Sequence, residues 1–407
     1  MFCGFAAGAW LGGAEAPIKL VNPEISPITV SLVMVCGVFL ARWSVPALVR
    51  GTSHIRADVG QAPHLVVWAI LAGCMWAVAN TLTIYAIRNV GLSIAFPLWN
   101  TNSLLGIFWG FLLFKELHAA GWKRWLGVIG GALCMFAGAT LLAVASSHEA
   151  APGKATLGIA AALGAGILWG TMYIPYRKAY LTGMNPLSFI TFFTVGELIT
   201  MLILAISYRG AAPLWHELST ARAVLFWLML GGFVWVIGDL FQQYATKYVG
   251  ISRGIPLSNT NQLWGLLWGV LVFHELRGAA HITYEQVVGG SILMALGAVA
   301  IALSSATESE HSSWKDAAQR EGDRYGVEDE YVRAGMEGRA YESSSEGRSV
   351  LDWLLILVTT ALFAALAIIS KPPQVDVSFG WAAALSVVMF TLMSACGVAL
   401  WRTTRFR

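Results

Sequence analysis

Asp239, Gln242 and Gln243 stand at i, i+3 and i+4 in an otherwise apolar stretch, so on a helix they share one face. Further on, Asn259, Thr260, Asn261 and Gln262 follow Pro256 by a few residues. A proline there removes a backbone hydrogen bond and kinks the helix. Freed carbonyls beside amides and a hydroxyl make a site rich in both donors and acceptors. A polyhydroxylated ligand needs such a site, because each of its hydroxyls both donates and accepts. Asp239 adds a carboxylate that can take up and release a proton, and Glu197 is the other carboxylate deep in an apolar run. Polar groups at membrane depth are expensive and face a bundle interior or a water path. Two plainer readings stand beside these. Asn and Gln also glue helices together, and a buried acid also serves as a static partner for a hydroxyl or an arginine.

The pattern occurs twice. Residues 76–117 align with 235–276 at a shift of 159, without a gap and with about 19 of 42 positions identical. A self-match of that length marks an internal repeat. Asn100, Thr101 and Asn102 are the mates of Asn259, Thr260 and Asn261, and Pro97 of Pro256. Asn80 stands where the second copy has Asp239, so the acid exists in one copy only. Trp99 and Trp264 adjoin the amide clusters and offer aromatic faces to the C–H face of a sugar ring. Tryptophans also form interfacial belts.

The elements that must position these groups are membrane helices. The chain is 57% hydrophobic and 12% charged, too little charge for a soluble domain of 407 residues. Apolar runs of about twenty residues, the length of a spanning helix, recur along it. They fall at 1–17, 27–48, 64–88, 91–114 and 123–146, then at 155–176, 187–208, 222–247, 250–273 and 284–304. The first has no basic region before its apolar run, which predicts a spanning helix rather than a cleaved signal. A repeat of five spans re-enters from the opposite side, so the halves 1–146 and 155–305 form an inverted repeat, the plan of many secondary transporters. Two further spans, about 350–370 and 379–401, have no repeat partner. The predicted fold is an all-α multi-pass membrane protein, a ten-helix inverted 5+5 repeat plus a C-terminal two-helix hairpin, twelve spans in all.

With the N-terminus inside, inner loops hold ten Lys and Arg, counting Arg42, Arg177, Lys247 and Arg253, against six outside. That bias places both termini in the cytosol and the chain in the cytoplasmic (inner) membrane. Residues 306–349 carry 11 of the 23 acidic residues, between 307 and 348, and read as a solvated linker. A surface helix over 314–341 is weakened by Gly322, Gly326, Gly335 and Gly338. The Gly106–Gly110 and Gly265–Gly269 pairs read as close-packing faces. Glu116 and Glu275, in matching F-x-E-L endings, read as interfacial and structural.

A net charge of +3 gives a nucleic-acid partner no electrostatic support. The five cysteines lie in apolar segments without metal spacing, and the sequence has no phosphate loop, H-E-x-x-H or G-x-S-x-G. No catalytic residue, metal or cofactor is predicted, and a membrane enzyme or scaffold is disfavoured. The partners are a small polar solute, protons and the lipid bilayer, and the sequence also allows a homo-oligomer.

Ten spans in two inverted fives resemble the drug/metabolite transporter superfamily. Within it, the W-x-x-G-[DN] helix, the V-G-[IL]-S-x-x-x-P-L-x-N-T-N helix and the F-x-E-L ending resemble the bacterial glucose/rhamnose transporter group. The run W-G-T-M-Y-I-P-Y-R-K at 169–178 is similar to that group's W-G-x-x-x-x-P-x-[KR]-K. The resemblance covers about 1–305. It implies proton-driven uptake of a sugar; the competing reading is uptake or efflux of another small polar metabolite, nucleobase-like or amino-acid-like.

Overall fold

The computed structural model describes every residue except 15, 20–24, 91–97, 100, 119, 146–154, 275–276, 279, 305–306, 340–347, 372–375 and 407. Among the described residues every regular element is helical. The first half contains α1 (Phe2–Gly13), α2 (Pro27–Val49), α3 (Ser53–Gln61), α4 (His64–Val90), α5 (Asn102–Phe114) and α6 (Gly121–Ala145). The second contains α7 (Ala155–Leu181), α8 (Pro186–Arg209), α9 (Ala211–Thr220), α10 (Leu225–Val249), α11 (Ile251–Ser258), α12 (Asn261–Leu267) and α13 (His281–Leu303). Then come α14 (Glu308–Tyr325), α15 (Asp329–Glu337), α16 (Val350–Ile369) and α17 (Phe379–Thr404). Nine of these helices are long and apolar enough to cross a membrane; α1 and α5 are shorter apolar helices. The predicted span 250–273 is not one helix. It breaks at Asn259 and Thr260, just past Pro256, and ends in a π turn, Trp268–Val272.

The outside of the bundle is apolar. Val67, Leu133, Val288, Leu303 and Leu357 are all exposed, as they must be where lipid is the solvent. The arginines and carboxylates at membrane depth turn inward. This is a multi-pass helical membrane protein.

The repeat shift of 159 organises the packing. α4 packs on α7 and its mate α10 packs on α1; α8 packs on α4 and its mate α2 packs on α10. The mates α2 and α8, and α6 and α13, pack on each other. The crossings match residue for residue. A Cβ on Gly37 would lie 2.1 Å from the Met229 carbonyl, and one on its mate Gly196 would lie 2.2 Å from the carbonyl of Ile70, the mate of Met229. Gly232 meets the Met34 carbonyl at 2.0 Å, and its mate Gly73 meets that of Phe193, the mate of Met34, at 1.9 Å. Between α6 and α13, Gly131 faces the Gly297 carbonyl and Gly138 faces that of Gly290. Only glycine permits backbones to approach this closely. By contrast, neither Gly106 nor Gly265 has a neighbour closer than ordinary van der Waals contact, while Gly110 is tight against Ser252 and Glu116.

Helix starts follow the same rule. Ser26 caps α2 ahead of Pro27, and its mate Asn185 caps α8 ahead of Pro186. Proline at the first helical position has no N–H to leave unsatisfied. Each cap residue also gives its backbone N–H to an acid on a short surface helix: Ser26 to Glu217 on α9, and Asn185 to Asp58 on α3, at 3.3 Å. Asp58 and Glu217 are themselves mates at 159 and lie at opposite ends of the bundle.

The added hairpin packs outside the repeats, α16 against α2 and α10, and α17 against α1. The Trp10 indole donates to the Met389 carbonyl at 3.0 Å, and Trp10 meets Phe390 edge-on. The segment after residue 306 is not a linker. Thr307 and Glu310 form a capping box that starts α14, Gly326 ends it in the left-handed conformation, and α15 follows. Gly326 and Gly338, which weakened the expectation of a helix, are the two stops. Trp314 and Tyr331 are buried against the bundle. Tyr341 lies outside the described residues.

Candidate functional site

Where the two copies of the amide pattern meet, α5 runs against α11. The Asn259 amide donates to Ser103 Oγ at 2.5 Å and to Asn102 Oδ1 at 3.3 Å. Beside it, Gln242 on α10 donates to Ser258 Oγ at 2.6 Å. Gln262 is buried, and its Oε1 and the Oδ1 of Asn261 have no hydrogen-bond partner among the described residues. Buried acceptors are normally satisfied, so these two are places for a donor to arrive. Ser103, Pro256, Asn259, Gln262 and Met294 are among the residues lining a cavity of about 10 Å³. That is room for at most one water, so the helices are shut around the amides in this conformer.

Thr101 and Thr260 each use the hydroxyl hydrogen within their own chain and keep only acceptor lone pairs. Each hydroxyl donates back to its own chain, Thr101 to the Leu98 carbonyl at 2.7 Å and Thr260 to the Leu257 carbonyl at 2.8 Å. Each then sits on a glycine of a neighbouring helix, Thr101 on Gly166 and Thr260 on Gly8. Trp99 is buried edge-on against Trp169, 6.1 Å between ring centres. Trp264 is half-buried over Gly12. Asn80 lies apart from the seam and donates to Ser31 Oγ at 3.2 Å. Asn100, Pro97 and Glu275 lie outside the described residues.

The second part of the site is charged. Asp239 is fully buried, and its Oδ2 lies 2.8 Å from Arg42 NH2. The same oxygen accepts from the Gln243 amide at 2.7 Å, and Gln243 Oε1 accepts from the Tyr180 hydroxyl. Arg42 also lies over the Phe193 ring at 4.3 Å and the Trp235 ring at 5.2 Å. Glu197 is fully buried among Arg42, Asp239 and Thr194, and neither of its oxygens makes a hydrogen bond of good geometry. One arginine therefore faces two carboxylates. An unpaired charge is costly in such a buried place, and a single guanidinium offers one positive charge to two carboxyl groups.

Arg42 is the residue that sequence reasoning missed. Counted with the inner-loop cations, it is fully buried in α2, and Arg177 and Arg253 are buried in the protein as well. Part of the loop charge bias is thus structural. The signal was available in the repeat: Arg42, Glu197 and Asp239 all have neutral mates, Met201, Val38 and Asn80. Trp76 and its mate Trp235 touch beside the triad, 5.2 Å between ring centres, where the two halves meet.

Glu116 is structural, as its sequence setting suggests. It accepts from the backbone N–H of Ile251 at 3.1 Å and of Ser252 at 2.9 Å, starting α11, and pairs with Arg177 at 2.9 Å.

Comparison with known proteins adds a family. A protein named for sugar uptake in Listeria innocua is 23% identical over 237 residues, 57% of this chain and 77% of that protein. The glucose uptake protein GlcU of Staphylococcus xylosus is 23% identical over 218 residues, 52% of this chain and 70% of its own. A third, named for sugar uptake in Streptococcus pyogenes serotype M1, is 45% identical over 64 residues, 15% of this chain and 22% of that one. The family model described as sugar transport protein matches residues 24–145 and 160–322, both halves of the repeat and well over half the sequence, and the chain belongs to that family.

Proposed function

We propose that this protein is a secondary transporter that takes up a monosaccharide across the cytoplasmic membrane, coupled to protons, by alternating access around the seam of Asn102, Asn259 and Gln262. The observation that carries the reading is the juxtaposition of an amide seam, with two acceptors unsatisfied among the described residues, and a buried triad of one arginine and two carboxylates on the neighbouring helices. Gln242 and Gln243 are adjacent on α10 and link the two, one bound to the seam and the other to Asp239. A sugar donating to Asn261 and Gln262 would draw α10 with it and disturb the Arg42–Asp239 pair. Proton uptake by Asp239, with Glu197 as its companion, then restores the charge balance. Family membership and relatives named for sugar and glucose uptake support the substrate class.

In this reading the halves are an inverted repeat of five spans, the hairpin brings the count to twelve, and both termini are cytosolic. Packing that repeats at a shift of 159, with matched caps at opposite ends, supports it. The test is uptake into proteoliposomes from a panel of labelled monosaccharides, amino acids and nucleobases, with and without an imposed pH gradient. Accumulation of one sugar, dependent on the gradient and lost in Asp239→Asn while sugar-for-sugar exchange survives, is the expected result. Accumulation of a different class of solute, or pH-dependent accumulation by Asp239→Asn, would overturn it.

A further inference from the structure

The ends of α5 and α11, which flank the amide seam, are fastened together by a segment from outside the repeat. Glu310 of α14 accepts from the Leu117 backbone N–H in the first half at 3.1 Å. It also takes Arg253 NH2 of the second half at 3.0 Å and 3.1 Å, and all these groups are buried. Arg253 is held in turn by the Ser304 carbonyl at 2.7 Å. One turn along α14, Trp314 covers the guanidinium of Arg177 at 4.5 Å, and Arg177 is the partner of Glu116. Glu321 pairs with Lys178 of α7 at 3.1 Å. From α15, the Tyr331 hydroxyl donates to Asp58 at 2.8 Å, and Gly335 abuts Gly183 so closely that a Cβ would lie 2.3 Å from it. The segment therefore touches the α2–α4 and α5–α6 connections of the first half and the α7–α8 connection and α11 of the second.

We infer that residues 307–339 are a latch that holds this end of the bundle closed, with Glu310 and Trp314 as its positioning residues. The inference rests on the alternating-access reading. A path from this end to the seam must pass between α5 and α11, and parting them breaks the bridge from Leu117 through Glu310 to Arg253. At the opposite end the matched acid, Glu217, binds Ser26, Thr29 and Arg209 of the repeat itself. The latch therefore acts on one gate of a transporter whose two gates are otherwise built alike.

The test replaces Lys178 and Glu321 by cysteine in the full chain and joins them with a short bis-methanethiosulfonate, reversible by dithiothreitol. The wild type, treated identically, controls for the native cysteines, including Cys3 and Cys396, whose sulfurs lie 2.9 Å apart. Joining the latch should lower sugar uptake by about tenfold or more, with dithiothreitol restoring it. Trp314→Ala should raise the maximal rate about threefold while the substrate KM stays within about twofold, a split that a loss of folded protein would not give. Independently of any substrate, hydrogen exchange at the Ile251 and Ser252 amides should be slower in the joined than in the reduced protein. Equal exchange in the two states overturns the latch whatever the uptake shows. Full uptake by the joined protein also overturns it and leaves the transporter reading intact. Absence of uptake from wild type and variants alike sinks the transporter reading, and the exchange comparison then decides the latch by itself.

Discussion

The triad of Arg42, Asp239 and Glu197 and its mates Met201, Asn80 and Val38 occupy equivalent places in two copies of one scaffold, yet only one set is charged. On the neutral side Asn80 makes a single bond to Ser31, and Met201 lies 3.9 Å from the Thr81 hydroxyl, ordinary helix-to-helix contacts. The glycine crossings beside both sets agree to a few tenths of an ångström. The comparison teaches that the repeat supplies a scaffold with matched capping contacts, while departures from the repeat supply a buried charged triad on one side and a docked pair of helices, 307–339, at one end.

The largest effect should come from breaking what the halves share. Gly73→Leu and its mate Gly232→Leu each force a side chain into a carbonyl, at 1.9 Å and 2.0 Å from Cβ, and backbone cannot yield as a side chain can. Both should abolish recovery of monodisperse protein in fluorescence-detected size exclusion. Normal recovery of either variant would mean that its crossing is looser than its mate's.

Converting the charged set into its neutral mate comes next. Asp239→Asn removes the carboxylate that touches Arg42 and leaves it only Glu197, which makes no hydrogen bond of good geometry to it, a loss of up to about 3–5 kcal/mol for breaking a buried pair. Adding Arg42→Met removes the stranded cation, so the double variant should recover much of the lost melting temperature yet still fail to accumulate sugar against a gradient. Accumulation by the double variant would detach the triad from coupling; a double variant no more stable than Asp239→Asn would mean that Arg42 depends on some other partner.

A smaller loss is expected at the seam. Asn259→Ala removes the donor to Ser103 and Asn102, at a cost of about 1–1.5 kcal/mol, or roughly a tenfold rise in KM. An unchanged KM with a lowered melting temperature would make the amides helix glue.

The smallest effect concerns the matched acids. Burial pushes the Asp58 carboxyl up, and hydrogen bonds from Ser188, Tyr331 and Asn185 and the nearby Arg50 only partly offset it. At Glu217 burial also pushes up, but bonds from Ser26, Thr29 and Arg209 prevail and hold it below its ordinary value. Asp58 therefore binds its proton more tightly when covered, and docking of α15 should weaken as pH rises through that elevated value. Lys247 and Arg50 are the cations facing it. Contacts made by Glu217 run the other way and weaken as pH falls. Protection from hydrogen exchange across 329–337, taken relative to the intrinsic rate at each pH, should therefore fall with pH in the wild type and lose that dependence in Asp58→Asn; a slope retained by the variant would assign it to another group.

The sequence by itself determined the class, the repeat and its offset, and the placing of amides and one unmatched acid inside apolar runs. Each of these is a property of a helix read along its own length: composition sets its solvent, and spacing sets which side chains share a face. Tertiary structure alone decided what stands opposite each face. Arg42 meets Asp239 from 197 positions away, so spacing on neither helix predicts the pair. Thr101 and Thr260 resemble their amide neighbours on paper, yet their hydroxyls donate back to the turn before, whereas Asn259 donates across the seam to Asn102 and Ser103. The acidic segment shows the same limit: by composition it is a solvated linker, and only the buried arginines beneath it, Arg177 and Arg253, make it a docked pair of helices.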